Sequence, residues 1–395
     1  MRALVYDAVR TPRGKAGRGA LAGTRPVELL ATVLRALAER SGLDTSRVGD
    51  LVVGASSATG EQGGDIARAA ALFAGWPDGV AGATLSRMCC SGVDAIATVA
   101  AKVDAGVDDL AVAGGVESMS RVGMFDDQGP IYADPEVARA AGFLHIGVAA
   151  DALASSHGIA RAELDRWAVR SQVRAAAAQA AGRFGQSMVP VVDSAGTTVL
   201  DHDEAVRASM TDADAAALPP SFAADAAGPF AAVLADRLPG LEVVAAHTLA
   251  SSPKMVDGAS AALIGRPGAL DVVPRARVVA AANIAVRSPL LTGATVAARA
   301  ALDRAGMTWA DVDLFEINES YAAVPLHFLR ESGVDEDRVN VNGGALAMGH
   351  PLGATGGMLL ATLLDELDRS DLTIGVLAIP AAAGLGSALV VERLR

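Results

Sequence analysis

Two cysteines, three lysines and few aromatic residues mark out what this 395-residue chain is not. Cys89 and Cys90 are the only thiols and are neighbours, so they cannot build a long-range disulfide framework. A bridge between adjacent residues would be strained. Two adjacent thiols without nearby His or Asp also lack zinc-site spacing, and no metal-ligand set is read from the sequence. Lysine occurs only at Lys15, Lys102 and Lys254, and the net charge is −12, which argues against a general nucleic-acid surface. No apolar run of membrane-spanning length is expected, and the N-terminus starts as a strand with no signal-peptide core. The terminal Glu392-Arg393-Leu394-Arg395 carries no peroxisomal or reticular address, so a cytoplasmic location is the expectation. There is no Walker loop.

What is present is apolar and glycine-rich: 51% hydrophobic residues and 42 glycines, in a chain long enough for two or three buried cores. The pattern predicts strands over 3–9, 51–54, 83–85, 110–115, 259–264, 275–285, 312–317, 339–342, 373–379 and 387–391. Helices are predicted over 26–40, 65–74, 89–105, 292–305, 321–330 and 354–367. This alternation implies parallel βαβ units buried on both faces. From about residue 117 to 247 the character changes to helices near 145–157 and 161–182 among Asp-, Ala- and Pro-rich loops. The two flanking regions share a layout in which a strand and polar turn feed a helix, then an apolar strand that stops at small residues. That suggests a duplicated unit. Packing the two copies together would bring both helix N-termini to one centre, with Cys89 facing His350.

The stretch Thr84–Ile96 reads as strand, sharp turn and helix N-terminus, and Cys89 stands in the turn. The helix dipole and free N–H groups there are expected to favour a thiolate. A thiol near its ordinary pKa of about 8.5 still needs a base at neutral pH, and His350 in a Gly-rich turn can take the proton. The simpler reading is a packing cysteine and a structural histidine.

Longer motifs shift that balance. Cys89-Cys90-Ser91-Gly92, Gly114-Gly115-Val116-Glu117-Ser118-Met119-Ser120, Asn318-Glu319-Ser320-Tyr321-Ala322 and the run Asn340–Gly356 around Gly349-His350-Pro351 resemble the signatures of the thiolases. These are the acetyl-CoA acetyltransferases and 3-ketoacyl-CoA thiolases. The resemblance covers nearly the whole chain. It implies an α/β fold of duplicated βαβαβαββ halves in an α-β-α-β-α layered core with an inserted loop subdomain. The N-terminal half would be 1–117 with 248–268, the acyl-CoA-binding insertion 118–247 and the C-terminal half 269–395. It implies an acyltransferase of lipid and fatty-acid metabolism working on CoA thioesters. No permanently bound cofactor, no nucleic acid and no membrane are implied. Acyl-CoA and CoA would be its partners, and the chain would form a homodimer or homotetramer.

The resemblance also assigns roles. Cys89 is the nucleophile and His350 its base, and Asn318 positions a water beside His350 to stabilise an enolate. The N–H groups of Cys89 and Ala382 form an oxyanion hole. His145, Ile146, Ser251, Lys254 and Tyr321 are expected at the substrate, Lys254 either pairing with a CoA phosphate or standing as a surface lysine. Asp203, Glu204 and Arg207 resemble a further family motif and are either substrate contacts or ordinary loop residues.

Two departures matter. Thiolases carry a second cysteine in Cys-x-Gly-Gly-Gly-x-Gly, and here the stretch is Pro380-Ala381-Ala382-Ala383-Gly384-Leu385-Gly386. The acid–base group that such a cysteine supplies, worth about 10²–10⁴-fold, is therefore missing. In Thr248–Gly258, Pro253 and Lys254 replace a serine and a glycine. Three readings follow: a thiolase-type acyltransferase working through Cys89, a decarboxylative ketosynthase-like condensing enzyme that needs no α-proton base, and a non-catalytic acyl-CoA-binding or scaffold homologue.

Overall fold

The computed structural model describes every residue except Pro229, Ser288 and Arg395. The N-terminal unit comprises β1 (Leu4–Arg10), α1 (Pro26–Ser41), β2 (Leu51–Gly54), α2 (Ile66–Phe73), β3 (Ala83–Leu85), α3 (Ser91–Asp104) and β4 (Leu110–Ser118). An intervening segment holds α4 (Ile146–Ser156) and α5 (Arg161–Ala180), and β5 (Val256–Gly265) then completes the first unit. The second unit runs β6 (Ala276–Ala285), α6 (Gly293–Ala305), β7 (Leu314–Ile317), α7 (Ala323–Ser332), α8 (Thr355–Ser370), β8 (Ile374–Pro380) and β9 (Leu385–Arg393).

Strand order shows the duplication. The first unit is ordered β3-β2-β4-β5-β1 and the second β7-β8-β9-β6. In the first unit β2 is parallel to both β3 and β4, in the second β7 is parallel to β8, and the remaining neighbours are antiparallel. The second unit lacks a counterpart of β3. The strand expected over 339–342 is reduced to one parallel bridge between Val339 and Phe315. Asn340 explains the loss. It adopts φ 49°, outside the extended region, and its side-chain amide bonds both the N–H and the C=O of Ile317 at 2.8 Å, taking the place of a strand backbone. The helix expected from residue 89 starts only at Ser91, and the one expected from 321 starts at Ala323.

The two strand sets join where Leu4 pairs with Arg277 and Val5 with Ala276. Their inner faces enclose α3 and α8 in one apolar core, with Val5, Ala113, Ile264, Val278, Leu377 and Leu389 packed on Ile96, Val99, Leu360 and Leu364. The outer face of the first set is covered by α1 and α2, and that of the second by α6 and α7. The result is the expected α-β-α-β-α layering. An 11-residue α4 and part of α5 pack against the second outer layer.

One stretch departs from the membrane expectation. The 22 residues Pro135–Ser156 are long and apolar enough in composition to cross a bilayer. They form two helices instead, broken at left-handed Gly142, and 61% of the apolar window is buried in the protein. A continuous span needs about 20 helical residues.

The central helices touch through glycine. A Cβ on Gly356 of α8 would lie 2.2 Å from the Val93 nitrogen of α3, and one on Gly92 would lie 2.6 Å from the Gly353 oxygen. Backbone cannot yield at that range. Gly356→Ala is therefore expected to lower unfolding stability by about 2–4 kcal/mol. Urea denaturation checks this, and an unchanged midpoint would show that the helices can separate freely.

Candidate functional site

The sharp turn before α3 delivers Cys89. Met88 takes φ 50°, a left-handed conformation that costs about 1–2 kcal/mol for a non-glycine residue. Ser91 holds the turn: its Oγ accepts the Arg87 N–H at 2.8 Å and donates to the Met88 C=O at 2.5 Å. Cys89 is 5% exposed and faces a cavity of about 270 Å³. Cys90 turns away, and its Sγ donates to the Ile379 C=O at 3.3 Å.

The same cavity receives His350 from the turn before α8. Gly349 makes that turn at φ 104°, where a Cβ would strike Val256 at 2.3 Å. The His350 N–H donates to the Lys254 C=O at 3.0 Å, and its Nδ1 meets Thr355 Oγ1 at 2.7 Å. Its Nε2 is 3.5 Å from Asn318 Nδ2. Asn318 stands behind the histidine and not on the cavity wall. Its Nδ2 donates to Ser320 Oγ at 2.8 Å, while its buried Oδ1 has no partner.

The electrostatics differ from the expectation of a helix-stabilised thiolate. Burial, with further contributions from Cys90 and Glu117, pushes the Cys89 thiol well above its ordinary value. The dipole contributes at most about 2 kcal/mol at a helix N-terminus, and α3 begins two residues after Cys89. Burial, and then the charge of Arg13, lowers His350 to about 3. The resting pair is thus a neutral thiol and a neutral imidazole. Such an imidazole is free to accept a proton as the sulfur attacks.

The other expected residues divide. His145, Ile146, Lys254, Tyr321 and Ala382 line the cavity. His145 caps α4, accepting the Gly147 N–H at Nδ1 (3.3 Å), and burial lowers its pKa. Tyr321 packs edge-on against Phe222 and His247. Lys254 donates to the Leu249 C=O, and burial plus the charge of Arg207 lowers it to about 8. Ser251 does not reach the cavity: it is fully buried, its Oγ accepts the Thr248 N–H at 2.8 Å, and its C=O accepts the Ala322 N–H. Its neighbour Ser252 lines the cavity instead, with a buried Oγ that has no partner. Asp203 and Glu204 are not on the wall either. Asp203 forms buried ion pairs with Arg10 (3.0 Å) and Arg13 (3.3 Å), and Glu204 accepts the Lys15 N–H at 2.7 Å.

Pro380, Ala381 and Ala382 complete the wall beside Cys89 and His350. The loop keeps a tight turn despite its alanines, with Ala383 held left-handed at φ 56°. The Ala382 N–H has no acceptor among the described residues.

Sequence reasoning gave no structural role to two buried carboxylates. Glu117 accepts N–H bonds from Ser56 (2.8 Å), Ser57 (3.1 Å) and Gly353 (2.8 Å) and one from the Gln62 amide (2.7 Å). Glu319 accepts bonds from Trp167, Ser171, Leu346 and Asn340. Both carboxylates fasten loops around the cavity. Reasoning from sequence also missed a second, smaller chamber of about 130 Å³ that shares Cys89, Met124, Ile146, Leu352 and Ala382 with the first. Its far wall comes from residues 125–132, which carry no periodic signal.

Residues 3–236 match the family model described as thiolase, N-terminal domain, and residues 272–393 match that of thiolase, C-terminal domain. The chain is 38% identical to "3-ketoacyl-CoA thiolase 5, peroxisomal" of Arabidopsis thaliana, over 99% of this chain and 85% of that protein. It is 36% identical to the "Beta-ketoadipyl-CoA thiolase" of Pseudomonas aeruginosa, over 99% and 98% respectively. The crystal structure of the Bacillus anthracis acetyl-CoA acetyltransferase superposes with a TM-score of 0.85 at 29% identity, covering 100% of this chain and 99% of that one.

Raised thiol pKa values have a kinetic signature. Alkylation of Cys89 by iodoacetamide, followed as the modified peptide by mass spectrometry, should accelerate about tenfold per pH unit from pH 7 to 9, because the thiolate fraction does. A rate already flat across that range would mean a preformed thiolate.

Proposed function

The chain belongs to the thiolase family, and from that premise we propose that it is an acyltransferase that takes the acyl group of a CoA thioester onto Cys89 and passes it to a second acceptor. The observation that carries this is the presentation of Cys89 and His350 to one cavity, with Asn318 at the imidazole Nε2. In the forward step Cys89 Sγ attacks the thioester carbonyl carbon and its proton moves to His350 Nε2. The oxygen becomes negative and is met by backbone N–H groups, of which that of Ala382 is unengaged. Collapse breaks the carbon–sulfur bond to CoA, and the proton returns to the departing sulfur. The free Oδ1 of Asn318 supports its role in holding a water near the same histidine. Half-buried Lys254, with the Arg207 charge close to it, supports phosphate recognition at the cavity mouth.

The carbon–carbon step is where this chain differs. Splitting a 3-ketoacyl-CoA releases a thioester enolate that must gain a proton, and condensation must remove one. Pro380 offers neither at the position where relatives by resemblance carry cysteine. Intact-mass measurement after incubation with acetyl-CoA should show an acetyl adduct that is absent in Cys89→Ser. Thiolysis of acetoacetyl-CoA should rise about 10²-fold or more in Pro380→Cys. No adduct with acetyl-, longer acyl- or malonyl-CoA would leave the acyl-CoA-binding reading standing, and thiolysis that Pro380→Cys does not improve would show that the proline is no handicap.

The smaller chamber sets the acyl class. It is walled by Met88, Met124, Phe125, Ile131 and Tyr132, and its one charged lining residue is Asp127, which accepts a hydrogen bond from Tyr132. An acyl chain ending in carboxylate would meet a like charge and no cation. Uncharged acyl groups therefore fit, whereas the name of the Pseudomonas relative points to a dicarboxylic one. Acylation of Cys89 by butyryl-CoA should exceed that by succinyl-CoA by at least about tenfold in kcat/KM. Equal rates would show that the acyl chain lies elsewhere.

A further inference from the structure

Away from the cavity, α4 and α7 meet at a cluster that the acyl-transfer chemistry does not use. His157, His327 and Glu331 present ligand atoms that all lie within 4.8 Å of one another. His327 and Glu331 are four residues apart on α7 and so share one face of the helix. His157 is the C-terminal cap of α4. The two imidazoles stand edge to face with centroids 4.6 Å apart.

Both rings are already oriented as metal ligands are. His157 Nδ1 lies 3.2 Å from the Leu153 C=O and 2.8 Å from Ser156 Oγ. A carbonyl only accepts, so the proton sits on Nδ1 and the Nε2 lone pair is left free. His327 Nδ1 lies 3.1 Å from Thr295 Oγ1 on α6. A second-shell oxygen on one imidazole nitrogen, leaving the other free, is the usual support of a metal-binding histidine. Neither Nε2 has a hydrogen-bond partner among the described residues. Arg330, which donates to the His157 C=O, is held by Glu163 at 2.7 Å.

We propose that His157 Nε2, His327 Nε2 and the Glu331 carboxylate form a three-ligand site for a zinc-class divalent cation, which fastens α4 to α7. Two imidazoles and one carboxylate suit zinc and its transition-metal neighbours and not magnesium or calcium. Four-coordinate bonds of about 2.0–2.1 Å place ligand atoms about 3.3 Å apart. Glu331 is exposed and can swing the remaining distance without moving its helix. The consequence reaches the cavity. α4 carries His145 and Ile146 at its start and His157 at its end, about 16 Å away by helical rise. A cation at the far end would fix the helix whose start lines the cavity.

The test uses the full chain, stripped with chelator and carrying Cys89→Ser so that the cavity thiol cannot bind metal. Calorimetric titration with zinc chloride should show one equivalent bound. Zinc at 100-fold over Kd should raise the unfolding midpoint by about 3 °C. Cobalt(II) should give the absorption of a four-coordinate centre. Glu331→Gln, at an exposed position and expected to fold normally, should weaken zinc binding by at least about tenfold, and His327→Gln should abolish the cobalt spectrum. The proposal is overturned by the absence of stoichiometric binding, or by binding that both variants leave unchanged.

Discussion

The contact between α3 and α8 is the constraint from which the site follows. Each helix begins at the centre of the molecule, and the turns before them carry Cys89 and His350 to one cavity. The distance between those turns is set by backbone against backbone, because Gly92, Gly353 and Gly356 leave no side chain between them. Gly115 on β4 extends the same contact, with space for no Cβ within 2.1 Å of the Gly353 oxygen. Any bulk there would push Cys89 and His350 apart. A displacement of about 1 Å can cost two orders of magnitude in rate.

Buried carboxylates hold what the glycines bring together. Glu117 reaches across from β4 to the Gly353 N–H, so the first unit grips the turn that leads into α8. Glu319, next to Asn318, fastens α5 to the His350 loop through Ser171 and Leu346. Burial raises both pKa values and the surrounding donors oppose that shift. With four donors each, the carboxylates are satisfied without a cation beside them. The thiol has no such donor set, and burial favours its neutral form.

The loop at 380–386 makes a tight turn with alanines in it. Ala383 occupies a left-handed conformation that suits glycine, and the turn persists because β8 and β9 pair on both sides of it, from Pro380–Gly386 to Ile374–Glu392. The backbone donor at Ala382 is retained beside Cys89. The side chain at 380, however, is a ring with no proton to give. The wall thus holds a thiol and an unengaged backbone N–H but no titratable side chain at 380.

The duplicated α/β plan was legible in the sequence, because apolar runs and helical spacing repeat in the same order in both units. So were Cys89, Asn318 and His350 as a candidate set, since their motifs are long and local, and the lack of a second, distant thiol. The helices near 145 and 161 were legible from periodicity. Tertiary structure alone decided the rest. A side-chain amide at Asn340 replaced an expected strand, which no propensity encodes. Ser251 lost its place to Ser252 because its hydroxyl turns back to accept the Thr248 N–H inside the loop. The state of the Cys89 thiol was misjudged from the helix start, since desolvation depends on everything packed around the sulfur. The second chamber and the His157–His327–Glu331 cluster were invisible for the same reason: they are made by segments far apart in the chain, and only the packing of α4 and its neighbours brings them together.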